Sequence, residues 1–216
     1  PNKHMGQPAW THDGAFVLFQ KQVGTCADAD AVVGTGGCND LWVIDAGGVD
    51  AFVLYTVAAG PNGALLHAQL NATDTKVFFS ERTVESPSTW RLVVCDIEFV
   101  GTPSTSGCVT AAPGAADSFY ESHQCLDATC DTVLFSCLCD LTDDTLSDIG
   151  VRTYVFSTTT LTTLADGSNN TWNEHAHQGS DGRIVWATSF GNADPIALDY
   201  AIMNVNGASK QRLTGF

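Results

Sequence analysis

Basic residues are scarce in this chain, which has nine Lys and Arg against 24 Asp and Glu in 216 residues and a formal net charge of −15. Such an excess of carboxylates repels phosphate and argues against a nucleic-acid partner. Long apolar runs are also missing. The uninterrupted ones are short, such as 15–19 and 51–55, whereas a membrane-spanning helix needs about 20 residues. We therefore expect no membrane span.

Helical periodicity is a third absence. No segment keeps an apolar period of 3.6 residues, and the chain instead has short runs of β-branched and aromatic residues separated by turn residues. Apolar residues reach 44%, which is enough for a packed core and excludes a disordered chain. These features predict an all-β protein.

The strand-like runs recur in the same order four times. Gln7, His67, His123 and His175 occupy equivalent positions, separated by 60, 56 and 52 residues. Four short strands repeated radially are typical of a propeller blade, and neighbouring blades stabilise each other. We therefore predict one β-propeller domain with four blades of four antiparallel strands; the alternative is an irregular β-sandwich. The predicted blades are approximately 1–60, 61–112, 113–166 and 167–216.

Eight cysteines indicate disulfides and hence a secreted, extracellular or periplasmic protein. Cys26 and Cys38 flank one loop, and Cys95 and Cys108 flank another. The connectivity of the other four is left open: Cys125, Cys130, Cys137 and Cys139. A zinc site is the alternative, but Cys137-Leu-Cys139 is too tight for the usual ligand spacing. Two sequons, at Asn71 and Asn169, predict glycosylation.

Two of the four copies resemble the repeat of TolB-type β-propellers. The segments that carry this resemblance are Pro8-Ala-Trp-Thr-His-Asp-Gly14, Asp40-Leu-Trp-Val-Ile-Asp-Ala-Gly47 and His177-Gln-Gly-Ser-Asp-Gly-Arg-Ile-Val-Trp186. The other copies have Thr73-Asp74 and Thr129-Cys130 where the Asp-Gly turn would be. Propellers of this type usually have six or more blades, so the resemblance implies a small ring, part of a larger ring, or blades completed by another chain.

The repeated histidines are the main candidate site. The first strand of each blade lines the channel of a propeller, so equivalent residues converge on its axis. His67, His123 and His175, together with His177, are therefore candidate ligands for a divalent metal ion in the central channel. The alternative is that each histidine bonds to the backbone of the neighbouring blade and fills the channel mouth.

The segment Glu174-His175-Ala176-His177 also resembles the His-x-His pair with which oligogalacturonate lyases, propellers related to the TolB type, hold manganese. That resemblance implies a metal-dependent polysaccharide lyase. The acidic chain would repel a polyuronate, and no Lys or Arg lies close in sequence to the histidines to act as the base. Catalysis is therefore not the favoured interpretation.

The favoured interpretation is a secreted propeller that acts as a binding or scaffold module for a protein or glycan partner. One alternative is a glycosylated subunit that self-associates into filaments through exposed strand edges. The metal-dependent lyase is the other. Three aromatic residues are predicted to lie in cores between blades rather than on a sugar-binding platform: Trp42, Trp90 and Tyr154.

Overall fold

The computed structural model describes residues 5–23, 38–57, 63–84, 89–114, 118–139, 149–167, 171–192 and 197–215. These residues form sixteen β-strands and no helix, which confirms the all-β prediction. Nothing in this part of the chain forms a helix long and apolar enough to span a bilayer. The strands are β1 (Met5–Trp10), β2 (Phe16–Gln22), β3 (Asn39–Asp45), β4 (Ala51–Tyr55), β5 (Ala64–Leu70), β6 (Lys76–Val84), β7 (Thr89–Glu98), β8 (Ser104–Ala111), β9 (Phe119–Cys125), β10 (Thr132–Leu138), β11 (Gly150–Val155), β12 (Thr160–Ala165), β13 (Asn173–Gln178), β14 (Ile184–Thr188), β15 (Asp199–Met203) and β16 (Gln211–Arg212).

Each set of four consecutive strands forms its own antiparallel sheet, with the strands in sequence order. The sheets β1–β4, β5–β8, β9–β12 and β13–β16 are blades 1 to 4. This arrangement confirms the predicted β-propeller with four blades of four antiparallel strands.

The turn between the first two strands has the same geometry in all four blades. Its fourth residue has a positive φ and donates a backbone hydrogen bond to the residue three positions earlier. Glycine adopts this conformation without steric cost, and aspartate tolerates it, which accounts for blades 1, 2 and 4. In blade 3 the position is taken by Cys130, whose disulfide to Cys125 spans the turn. The four residues and their φ angles are Gly14 (70°), Asp74 (54°), Cys130 (52°) and Gly182 (78°).

Three apolar clusters hold the blades together. One joins blades 1 and 2, one joins blades 2 and 3, and one joins blades 3 and 4. Trp90 and Tyr154 are buried in the cluster between blades 2 and 3, as predicted. Trp42 belongs to none of these clusters and is half-buried on the opposite face of blade 1.

The cysteines pair locally. Cys95 and Cys108 join the adjacent strands β7 and β8, with their Cα atoms 4.0 Å apart. This pair agrees with the prediction that the two cysteines flank a loop, although both lie within strands and the connection between those strands is only residues 99–103. The pairs Cys125–Cys130 and Cys137–Cys139 resolve the open connectivity. Cys38 is also disulfide-bonded, and Cys26 lies outside the described residues.

The side chain of Asn71 is buried and shapes the first turn of blade 2. Its amide nitrogen donates to Thr73, to Thr75 and, at 2.6 Å, to the carbonyl oxygen of Ala128 in blade 3. A glycan on this nitrogen would displace these acceptors, so the folded structure argues against the predicted glycosylation at Asn71. The second predicted site, Asn169, lies outside the described residues.

Candidate metal site in the central channel

A β-bulge interrupts the innermost strand of every blade at the repeated position. The register of strand pairing shifts where β1, β5, β9 and β13 carry Gln7, His67, His123 and His175. Three of these residues have a positive φ: Gln7 (49°), His67 (50°) and His175 (49°). Bulges re-aim side chains and are common beside functional sites. Here they bring the imidazoles of blades 2, 3 and 4 together.

A carboxylate joins two of these imidazoles. Oε1 of Glu121, on β9, lies 2.9 Å from Nδ1 of His67 and 3.8 Å from Nε2 of His175. One ligand atom from each residue can be chosen so that the three atoms lie within 4.8 Å of one another. We call His67, Glu121 and His175 the channel cluster; they come from blades 2, 3 and 4, respectively.

A second carboxylate supports His175. Oε1 of Glu174 lies 3.2 Å from Nδ1 of His175. This hydrogen bond raises the pKa of His175 above its ordinary value of 6.5, and the charge of Glu121 acts in the same direction. Burial opposes ionisation of Glu174, but the hydrogen bond that it accepts from His175 and the nearby charges of His175 and His67 lower its pKa overall.

The other two predicted ligands lie beside the channel cluster rather than within it. The ring centroid of His123 is 6.1 Å from those of His175 and His177. The His123 side chain is buried, and its Nε2 lies 2.6 Å from Oγ of Ser136 on its own blade. Burial holds the pKa of His123 well below 6.5, and burial also lowers the pKa of His177. His123 is therefore neutral at pH 7.

Two glutamines bond to the backbone of a neighbouring blade at the channel. The Oε1 atom of Gln7 accepts a hydrogen bond from the backbone N–H of His67, and that of Gln124 accepts one from the backbone N–H of Gln178. The alternative interpretation gave this role to the histidines. For His67 and His175, the hydrogen-bonding partners are carboxylates instead.

Sequence reasoning missed Glu121. The residue stands two positions before His123 in the first strand of its repeat, where strand alternation places both side chains on one face. An acidic residue so close to a repeated histidine was the available signal. Only the packing of β9 against β5 shows that its carboxylate reaches the histidine of the neighbouring blade.

The donor set fits a divalent transition metal ion. Imidazole suits Zn²⁺, Fe²⁺ and similar ions, and two histidines with one glutamate form known zinc sites. A tetrahedral ion with bonds of about 2.1 Å needs donor atoms roughly 3.4 Å apart. The two separations of Glu121 from the imidazoles, 2.9 and 3.8 Å, bracket this value. The two imidazole donors lie within 4.8 Å of each other, so binding of an ion would also require His67 and His175 to approach each other.

Acidification is expected to destabilise the fold through His123. In the unfolded chain a histidine takes up a proton near pH 6.5, whereas the buried imidazole resists protonation to much lower pH. The unfolded state then binds more protons than the folded state as the pH falls below 6.5, so the free energy of unfolding decreases with falling pH. His175 contributes with the opposite sign, because its raised pKa stabilises the fold below pH 6.5 and this contribution is lost as the pH rises.

Urea denaturation between pH 5 and pH 7.5 measures this effect. The His123→Gln variant keeps a polar group beside Ser136 but does not titrate. We expect its stability to fall less steeply below pH 6.5 than that of the wild type. The rings that face His123 belong to His67, His175 and His177; all three remain in the variant, and equal slopes would contradict the prediction.

No protein-family model matches the chain, and no characterised protein resembles its sequence significantly. Its structure does resemble solved propeller proteins at low sequence identity. Prolyl oligopeptidase B from Galerina marginata superposes with a TM-score of 0.64 at 11% identity, covering 95% of this chain and 27% of that protein. A puromycin-hydrolysing peptidase from Mycobacterium tuberculosis gives 0.62 at 11% identity, covering 98% and 31%.

TolB from Acinetobacter baumannii superposes with a TM-score of 0.59 at 15% identity, covering 95% of this chain and 42% of that protein. The chain thus spans less than half the length of each of these relatives. Similarity at this level concerns the fold and not the activity. The chain therefore shares the β-propeller fold of TolB and these peptidases, in agreement with the repeat seen in the sequence.

Proposed function

We propose that this protein is a binding propeller of an oxidising compartment and holds a divalent transition metal ion in its central channel. The observation that carries the proposal is the channel cluster, in which His67, Glu121 and His175 from three blades present ligand atoms within 4.8 Å of one another. The disulfides support a secreted, extracellular or periplasmic location.

The charges around the channel cluster favour a cation. The carboxylates of Glu121 and Glu174 lie beside His67 and His175, and in the described part of the chain neither carboxylate forms an ion pair with a Lys or Arg. His123 is neutral and adds no positive charge. A divalent ion would compensate the two carboxylates, as buried charges require.

The channel also offers space for a partner. A cavity of about 290 Å³ is lined by residues of the innermost strands of all four blades, including His123, His177 and the exposed Trp10. The three residues of the channel cluster do not line this cavity, so a partner seated in it would have to extend past His123 and His177 to reach the ion. In a chain with a net charge of −15, the ion would be the strongest attraction for an anionic group. The partner that fits is therefore a protein or glycan that presents a carboxylate or hydroxyl to open positions on the ion.

Binding is favoured over catalysis because, in the part of the chain that the structure describes, the ion pairs of the channel cluster join only carboxylates and histidines, with no Lys or Arg that could act as the base. The lyase chemistry implied by the His-x-His resemblance needs such a group. In addition, His177, the second histidine of that segment, lies outside the channel cluster.

Metal binding is tested by elemental analysis and by calorimetric titration of the chelator-treated protein with Zn²⁺ and Mn²⁺. We expect one ion per chain, and we expect Glu121→Gln and His175→Ala each to weaken binding at least about 100-fold. His177→Ala should change the affinity less than about threefold, because His177 supplies no ligand.

His12→Ala is the matched control. His12 also forms a histidine–carboxylate contact between blades, with its Nδ1 atom 2.7 Å from Oδ1 of Asp74, but outside the channel cluster. This variant should bind the ion like the wild type. Absence of stoichiometric metal, or equal losses in His12→Ala and His175→Ala, would refute the proposal.

A further inference from the structure

Every blade has two faces, because side chains alternate between them along each strand. In blades 2 and 3 the face toward the preceding blade and the face toward the following blade are both buried in apolar clusters. The sequences of the four blades can be aligned on one residue in each, whose carbonyl oxygen accepts the backbone hydrogen bond that closes the turn between the first two strands. Those residues are Phe16, Lys76, Thr132 and Arg183.

Among the described residues, no apolar cluster joins the preceding face of blade 1 to another blade. Met5 is 65% exposed, although the equivalent residue of blade 2, Leu65, is 0% exposed against blade 1. The next four pairs on this face show the same contrast, since each residue of blade 1 is half-buried and its counterpart in blade 2 is 0% exposed. These pairs are Val17 and Val77, Phe19 and Phe79, Trp42 and Val93, and Ile44 and Cys95.

Blade 4 has the complementary uncovered face. Tyr200 is 55% exposed, whereas its counterpart in blade 3, Val151, is 0% exposed against blade 4. Val185 is half-buried, and its counterpart Leu134 is fully buried. Ile202 pairs with Val185 across the two strands but is only 9% exposed, so the uncovered part of this face is centred on Tyr200 and Val185.

The two uncovered faces do not cover each other. The three apolar clusters of the described residues join blades 1 to 2, 2 to 3 and 3 to 4, and none of them joins blade 4 to blade 1. Both faces are thus shaped like halves of an interface that the chain itself forms three times.

We propose that a second copy of this chain covers these faces, with the following face of blade 4 in one copy packed against the preceding face of blade 1 in the other. The proposal rests on continuity with the three interfaces between blades. Each of them packs the following face of one blade against the preceding face of the next, and blade 4 and blade 1 present the same two kinds of face. The two faces differ, so the contact is head-to-tail. Two copies joined through both contacts form a ring of eight blades, within the known range for propellers.

This contact differs from the strand-edge pairing predicted from the sequence. It uses the flat side of a sheet and leaves the outer edges β4, β8, β12 and β16 free. It is also independent of the channel cluster, to which blade 1 contributes no residue.

Light scattering after gel filtration tests the association. The wild type should have a mass near twice the 22.8 kDa of one chain. Met5→Glu blocks the face of blade 1 and Tyr200→Glu blocks that of blade 4; both side chains are more than half exposed, so both variants should fold. Each variant alone should be monomeric or associate at least about tenfold more weakly, because a charge would be buried in the contact.

Mixing the two variants gives the sharpest result. In the mixture, the Met5→Glu chain keeps an intact blade 4 face and the Tyr200→Glu chain keeps an intact blade 1 face. These two faces can pack against each other, so a one-to-one dimer should reappear. Val100→Glu, at an exposed position of blade 2 away from both faces, should associate like the wild type. A wild-type chain that is monomeric at every concentration, or a mixture that remains monomeric, would overturn the proposal, while metal binding would be unaffected.

Discussion

Replacing Arg91 with methionine is expected to lower the free energy of unfolding by about 3–5 kcal/mol, because it leaves a buried carboxylate without its counter-charge. The carboxylate belongs to Glu81, which lies opposite Arg91 on the neighbouring strand and is fully buried. Nε and Nη2 of Arg91 each lie 2.6 Å from Oε2 of Glu81, and the hydroxyl of Tyr55 in blade 1 donates to the same oxygen at 3.2 Å.

Urea denaturation of the oxidised protein measures this loss. The matched control is the double variant Glu81→Met with Arg91→Met, which replaces the whole pair with apolar side chains. Because the desolvation cost of the pair disappears with it, the double variant should be more stable than Arg91→Met alone. A single variant that loses less than about 1 kcal/mol would show that Glu81 does not depend on Arg91 for its charge compensation.

Replacing Phe78 with alanine is expected to cost a similar amount, about 3–5 kcal/mol, for an apolar reason. Phe78 is fully buried in the cluster between blades 2 and 3, together with Trp90 and Phe135. Removing its ring gives up the favourable burial and leaves a cavity that the surrounding sheets fill only in part.

The control for Phe78 is Phe190→Ala in blade 4, where the ring is exposed. Its stability should stay within about 0.5 kcal/mol of the wild type. Both variants are measured by the shift of the urea midpoint at constant slope. Equal effects of the two substitutions would contradict the assignment of Phe78 to a core between blades.

The fold could be predicted from the sequence because each blade is a local unit. Turn residues and alternating apolar residues lie next to each other in the chain, and four copies of one pattern make an accidental match improbable. Even the degenerate turns at Asp74 and Cys130 were recognisable from their position in the repeat. Their positive φ angles show that the turn tolerates residues other than glycine.

The candidate site could be predicted only in part. Equivalent positions in a radial repeat converge, which was enough to bring His67, His123 and His175 to the channel. The partner of each histidine could not be read from the repeat. Ser136, on the same blade, lies beside His123, whereas Glu121 reaches His67 and His175 on the two neighbouring blades. The contacts of Glu121 join residues 54 positions apart, and no local pattern encodes them.

Strand pattern, turn chemistry and the order of the blades thus follow from interactions between residues close in the chain, which the amino-acid sequence displays directly. The sequence does not display which apolar faces are covered by another blade. Trp42 and Trp90 look alike as strand aromatics, yet Trp90 is buried between two blades and Trp42 lies on a face that no other blade covers. Burial is a property of the whole packed arrangement, because it depends on which sheet stands opposite, and only the tertiary structure contains that information.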